Sequence, residues 1–419
     1  MSDYIRSNQV DYIISFKKSN GKFRVYSSAT DEITTMPLLP PGNAKLRKFI
    51  MLKQSERDDN QPTDECLERY AKRFKNWCKE LNDSHLRINY ANYYSDYTAV
   101  TCTFNRWSKK NYANHAPISA TEYMWFEKCA NFGIQYLKEK DITTKVWSYD
   151  FKNQYGLILS GDTLIPTKEG EETTLKKLPS RRHLKPGFYH VKITCDNDNF
   201  RKIFAFSKHN VYVKESLKFA MKHADEYDVS IELIMDDKPN AYLYDDKDMV
   251  TMSSITSEWF TNLTDLRSKL KGNKLIKHLI SSAWGHLNAD NKLYKTWEEI
   301  EEEKLDIGYE DGHDYKILEY QDYGDRECFV LLNTKNPYKH HIRLKPWVTA
   351  VARNLTASIV LQDIKRVVRV HTDCVSFTRE QEFDDPNLVE EEKTTGKIHW
   401  KHCNSYHNIT TGYKTQKYD

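Results

Sequence analysis

Apolar and polar positions recur along the chain with periods that mark out its elements. From Asp64 to Leu81 apolar and aromatic residues return every three or four positions, which predicts a helix with Asp64 as candidate N-cap. The same period predicts helices over Thr121–Lys138, Lys214–His223 and Leu263–Leu287, and over Pro346–Leu361 with proline in its first turn. Val146–Phe151 alternates instead: Val146, Ser148 and Asp150 take one face of a strand, and Trp147, Tyr149 and Phe151 the other. Val191–Thr194, Ile203–Phe206 and Ser230–Met235 are strand-like, and Val367–Val370 and Val375–Phe377 flank a tight polar turn. Breaks are expected at Pro40-Pro41-Gly42, Ser55–Thr63, Lys168–Glu172 and the acidic residues around 300–327. Strands and helices mix irregularly, which favours an α+β fold over a doubly wound sheet.

Composition narrows the class. The chain has 419 residues, 39 % hydrophobic and 13 % aromatic, which is too apolar for wholesale disorder and enough for two or three domains. No run of about 18 apolar residues occurs, so no membrane span is expected. The start, Met1 to Ser7, lacks an apolar core, so no secretory signal is expected. Eight scattered cysteines point to free thiols in a reducing, intracellular compartment.

The net charge of +3 hides two opposites. Thr174–His223 holds 12 Lys and Arg against 3 Asp and Glu, a balance of +9. Trp297–Glu327 holds 3 against 13, a balance of −10. The basic stretch interleaves Phe188, Tyr189, Phe200, Phe204, Phe206 and Tyr212 with its cations, a pattern suited to tracking phosphates and stacking on bases. Arg181, Arg182, Lys185, Arg201 and Lys202 are its candidate DNA contacts. The acidic stretch is expected as a solvated loop.

Three constellations carry candidate chemistry. Asp150 ends an apolar, aromatic strand, where a carboxylate is costly unless it meets a cation; the plainer reading is a turn residue. Lys274, Lys277, Ser281 and Trp284 fall at i, i+3, i+7 and i+10, one helix face that suits a triphosphate and a ring contact; the plainer reading is a solvated amphipathic face. Asp373 sits at the tip of the hairpin Val367–Phe377, and beside Asp150 on a neighbouring strand it would complete a carboxylate pair for two divalent ions. His399, His402, Cys403 and His407 lack the paired spacing of a zinc site.

In this order the three segments resemble motifs A, B and C of family B DNA polymerases, most nearly the protein-primed branch of phages, viruses and linear plasmids. Motif A, DxxSLYP, stands as Asp150-Phe-Lys-Asn-Gln-Tyr155-Gly156. Motif B, KxxxNSxYG, stands as Lys277-His-Leu-Ile-Ser281-Ser282-Ala-Trp284-Gly285. Motif C, YxDTDS, stands as Arg369-Val-His371-Thr372-Asp373-Cys374. Val348–Asn354 resembles the family's AYAR helix, Cys129–Gly133 its YxGG turn, and Gly187–Val191 a GfyxV strand. The resemblance covers roughly residues 120–380.

It implies a right-hand architecture: a palm with an antiparallel sheet, helical fingers and a small thumb. The implied division is an N-terminal region 1–120, a palm 121–240 with a basic insertion, fingers 241–295, an acidic insertion and palm 296–380, and a reduced thumb or tail 381–419. It implies that Asp150 and Asp373 bind two Mg²⁺ (or Mn²⁺). Lys277, with Lys274 and Ser281 on its face, would contact the incoming triphosphate. Tyr155 would lie under the sugar and Trp284 against the nascent pair. The implied partners are primer-template DNA, dNTPs and a terminal priming protein, in the host cytoplasm or at a viral replication site.

Departures are as specific as matches. His371 replaces the first Asp of DTD, Ser281 the motif B Asn, and Gly133 alone survives of the two glycines. The lysine of a KxY motif is missing around Tyr406. Residues 1–145 contain no D-x-E triplet, so no proofreading is expected. Two readings follow: a divergent polymerase, or an inactive homologue that binds DNA or acts as a scaffold.

Overall fold

The computed structural model describes residues 11–18, 22–36, 47–52, 63–93, 96–112, 118–130, 132–236, 238–287, 292–310, 312–322, 327–334 and 343–415. The chain divides into two compact units, one of residues 1–110 with 256–287, the other of 111–255 with 288–419. The motif B helix belongs with the N-terminal residues, and the division falls inside the helix Met252–Lys269. No described helix is long and apolar enough to cross a membrane.

The first unit holds a four-stranded sheet in which Asp11–Lys17 lies between Phe23–Ser27 and Arg47–Met51. The periodicity of residues 11–51 is too short for sequence reading to single these strands out. The helix Asp64–Asp83 starts at Thr63, whose hydroxyl accepts from the Cys66 N–H at 3.2 Å. Asp64 is therefore not the cap; its carboxylate accepts instead from Arg24 Nε at 2.7 Å. The pattern expected as one helix over Leu263–Leu287 is two, Met252–Lys269 and Lys274–Leu287, parted at Gly272, whose φ of +90° a side chain would strain.

The second unit is built on a seven-stranded sheet, antiparallel throughout. Ile142–Phe151 pairs with Cys374–Phe377 on one side and with Gly396–His402 on the other. Alternation is realised as expected: Tyr149 and Phe151 enter the main core with Val370, Val375 and Phe377, while Val146 packs with Ile398 and Trp400 on the opposite face. The helix Leu344–Val360 contributes Ala357, Ile359 and Val360 to the main core.

Other expectations are corrected here. Residues 121–138 are a helix, Ala120–Lys128, and then a strand, Gln135–Leu137, because the backbone turns extended at Cys129, where ψ is 149°. Residues 198–203 form a helix capped by Asn197, and Phe204–Phe206 follow without strand pairing. The C-terminal segment, expected as a thumb or tail, supplies three strands to the seven-stranded sheet. The acidic stretch is not a loop. It belongs to a four-stranded sheet with the helix Trp297–Glu303 and a small core of Ile300, Ile317 and Leu331.

One buried ion pair ties the second unit together. Glu122, fully buried, accepts from Arg343 Nε at 2.8 Å and Nη2 at 2.6 Å, and from the Tyr244 hydroxyl at 2.8 Å. Burial pushes the Glu122 carboxyl up and Arg343 draws it back down. Glu122→Ala leaves a guanidinium buried without its partner. It should cost about 3–5 kcal/mol, read as a lower urea midpoint.

Candidate active site

Asp150 and Asp373 come together through strand register. Asp150 lies opposite Cys374, and the Asp373 carbonyl accepts from the Phe151 N–H at 3.3 Å. Asp373 occupies a two-residue turn, Thr372-Asp373, between paired His371 and Cys374. Thr372 adopts φ +61°, a costly conformation for a β-branched residue, so its surroundings must enforce it. They do so from three sides. The Thr372 N–H donates to Ile134 O at 2.9 Å, the Thr356 hydroxyl donates to Thr372 O at 2.8 Å, and Gly133 lies directly against the turn. A Cβ on Gly133 would stand 2.9 Å from Thr372 Cα.

The strand face beneath the carboxylates is polar and satisfied. Ser148 and Ser376 face each other with their hydroxyls 2.7 Å apart. Arg369 is buried with its Nε donating to Cys403 O at 2.6 Å, its Nη1 3.5 Å from Cys374 Sγ, and its guanidinium 4.6 Å over the Trp400 ring. Burial pushes the Asp373 carboxyl up, Arg369 pulls it down, and Glu391 pushes it up again. Glu391 escaped sequence reading because it lies far along the chain, in a glutamate run that looks solvated. His371, where the resemblance expects an acid, is driven down to about 4 by burial and by Arg369, so it is neutral at pH 7. Among the described residues no group of three or more His, Cys, Asp or Glu side chains is placed to hold a metal. His399 bonds Thr143 at 2.8 Å instead of joining a cluster.

Tyr155 follows on the short helix Gln154–Leu159, entered through left-handed Asn153. It is half-buried, and burial with the nearby Asp373 charge pushes its phenol up to about 12, so it stays protonated. Lys274, Lys277 and Ser281 lie on the exposed side of the helix Lys274–Leu287, opposite buried Leu275, Ile276, Leu279 and Ile280. They belong to the first unit. The Trp284 side chain lies outside the described residues.

The basic stretch needs two corrections. Lys202 is buried, donates to Asn199 Oδ1 at 2.8 Å and Ile364 O at 3.0 Å, and lies over the Tyr136 ring, so it does not face DNA. The interleaved aromatics are core: Phe188, Tyr189, Phe200 and Tyr212 are almost wholly buried, and Phe200 stacks on Phe204. Periodicity cannot tell a ring that stacks on bases from one that stacks on its neighbour. Arg181, Arg182, Lys185 and Arg201 are exposed. Arg181 and Arg182 line a groove of about 460 Å³ with Lys218, Lys222 and Phe219, while Lys185 lines a different, more acidic cleft. Glu215 also borders the groove. Its Oε2 is cut off from water without a hydrogen-bond partner, and burial pushes its carboxyl up to about 7.

No family model matches this chain, and no curated protein does. Solved structures do. The chain is similar to Phi29 DNA polymerase complexed with single-stranded DNA, at 12 % identity and TM-score 0.54, over 83 % of this chain and 58 % of that one. The same enzyme complexed with primer-template DNA gives 12 % and 0.53, over 88 % and 63 %. Its orthorhombic crystal form gives 12 % and 0.52, over 97 % and 75 %. This chain thus has a DNA polymerase-like fold, and it spans about six-tenths of the length of the first two structures.

Two predictions follow from the site. Gly133→Ala forces backbone against backbone and should destabilise the fold by about 1–3 kcal/mol, seen as an earlier urea transition. At Glu215 the folded carboxyl titrates near 7 and the unfolded one near its ordinary value of 4.5. The unfolded state therefore loses its proton first, and stability falls as pH rises from about 4.5 to 7. Glu215→Gln should abolish that slope and stabilise the protein at pH 8 by on the order of 3 kcal/mol, measured by melting across pH.

Proposed function

We propose that this chain is a template-directed DNA polymerase of the protein-primed, family B kind, without proofreading. The observation that supports it is the register that sets the turn carrying Asp373 beside the strand end carrying Asp150, within a polymerase-like fold. The neighbouring proteins are polymerases bound to DNA, and one is complexed with primer-template DNA and incoming nucleotide substrates. DNA and dNTPs are the partners proposed here, with a terminal protein supplying the priming hydroxyl and a viral or mobile element supplying the template.

The residues present suit a hard divalent cation. Two carboxylates offer oxygen donors, and the desolvated Asp373 gains from a nearby positive charge. Bound there, Mg²⁺ or Mn²⁺ would make the primer 3′-hydroxyl more acidic and neutralise charge on the phosphates. The protein's own contribution is orientation. Asp150 is held by backbone pairing on both sides, and the turn that carries Asp373 is tied to the end of the same strand by the Phe151 N–H. Protonated Tyr155 presents a ring whose bulk would crowd a 2′-hydroxyl. Lys277 and Lys274 carry exposed ammonium groups that would neutralise the triphosphate, with Ser281 on the same exposed side and Trp284 proposed to meet the nascent pair. Arg181, Arg182, Lys185 and Arg201 would meet the DNA backbone.

Primer extension decides the matter. The unaltered chain with Mg²⁺ or Mn²⁺ should extend a primer on a template. Asp150→Ala and Asp373→Ala should each lower the rate by at least about a thousandfold, with DNA affinity unchanged by gel shift. The unaltered chain should release no nucleotides from a mismatched 3′ end. No extension by the unaltered chain, with DNA binding kept, would make it an inactive DNA-binding homologue.

A further inference from the structure

The acidic sheet has a feature that nucleotidyl transfer does not use. Its helix, Trp297–Glu303, carries five glutamates in seven residues, and Trp297–Glu327 sums to −10. Over this surface runs a row of rings. Tyr320 lies 5.3 Å from Phe329, and Phe329 lies 5.8 Å from Trp297. The middle ring, Phe329, packs against the small core of Ile300, Ile317 and Leu331, whereas the outer two are exposed, Trp297 to 51 % and Tyr320 to 49 %. Trp297 is nevertheless oriented, because its indole N–H donates to Glu301 at 2.9 Å.

Exposed aromatic rows on a folded surface mark contact sites, and the charge around this one selects the partner. Phosphates are repelled by such a density of carboxylates, so a nucleic acid is the wrong occupant. Guanidinium and ammonium groups satisfy both features. They lie over ring faces and neutralise the flanking glutamates, and arginine does both best. We propose that this face docks a lysine- and arginine-rich segment of a partner protein. It stands apart from the polymerase reading, since none of its residues is among those proposed to bind DNA or nucleotides.

The test uses the full chain and a short labelled peptide of alternating arginine and glycine, followed by fluorescence anisotropy. The unaltered chain should bind it with an affinity that falls as salt rises. Trp297→Ala with Tyr320→Ala should raise Kd about tenfold or more. Glu298→Gln with Glu302→Gln should raise Kd and flatten the salt dependence, and this variant leaves the rings untouched should the first one fold poorly. Primer-template affinity should be the same for all three proteins. The proposal falls if the peptide binds both variants as it binds the unaltered chain, or if a glutamate–glycine peptide binds equally well. It falls too if DNA affinity drops with the rings, or if the chain self-associates through Trp297, which would make a second copy the occupant.

Discussion

A single buried guanidinium organises the candidate site. Arg353 is almost wholly buried on the helix Leu344–Val360, and it meets no carboxylate among its hydrogen-bond acceptors. Its Nη1 donates to Ala130 O at 2.9 Å and Phe132 O at 2.7 Å, and its Nη2 to the Ser216 hydroxyl at 2.9 Å. Burial lowers its pKa to about 10, with Cys129, Tyr155 and Tyr212 opposing that fall, so it is still charged at pH 7. A charge so placed is expensive unless every donor finds an acceptor in good geometry. The carbonyls of Ala130 and Phe132 are the acceptors it finds, and that requirement fixes where those two residues lie.

Those fixed residues then fix the carboxylates. They lead to Gly133 and Ile134, which bound the Thr372 turn from one side. One turn further along the same helix, Thr356 holds the turn from the other side and accepts from Gln154 Nε2 at 3.1 Å. Gln154 is the neighbour of Tyr155, so motif A and motif C are locked to one helix by one short polar relay. A left-handed threonine survives because loop, glycine and helix together leave it no alternative. The strain stands beside Asp373, where placement matters most to the proposed chemistry.

This division between local and distant causes explains what sequence could reveal. Val146–Phe151, the second half of the strand Ile142–Phe151, and the 367–377 hairpin were legible because alternation and a two-residue turn are local signals. The Arg353 loop contact, the Glu122–Arg343 pair and the role of Glu391 were not legible, since each joins residues distant in sequence by geometry alone. The basic stretch misled for the same reason. Its rings read as a stacking platform, yet Phe188, Tyr189 and Tyr212 in a five-stranded sheet and Phe200 in a helix are buried, while of the cations Lys202 alone is. Lys202 went with the rings because its stem lies along Tyr136 and its ammonium finds two oxygens inside.

The C-terminal hairpin shows how a departure from a motif can be compensated. Relative to the family pattern, motif C loses an acid at His371 and gains a cation at Arg369. Both changes make the turn more positive, and one explains the other. His371 is neutral partly because Arg369 is near, and Arg369 is tolerated because Gly396–His402 and the turn after it wrap around it, with Trp400 over its face and Cys403 O at its Nε. The same guanidinium lowers the Asp373 carboxyl against the pull of burial and of Glu391. A missing acid at 371 therefore reduces repulsion around the pair and leaves Asp150 and Asp373 as the carboxylates on which the proposed chemistry rests. The last strands of the chain, far from being a tail, set the electrostatics of the turn that carries Asp373.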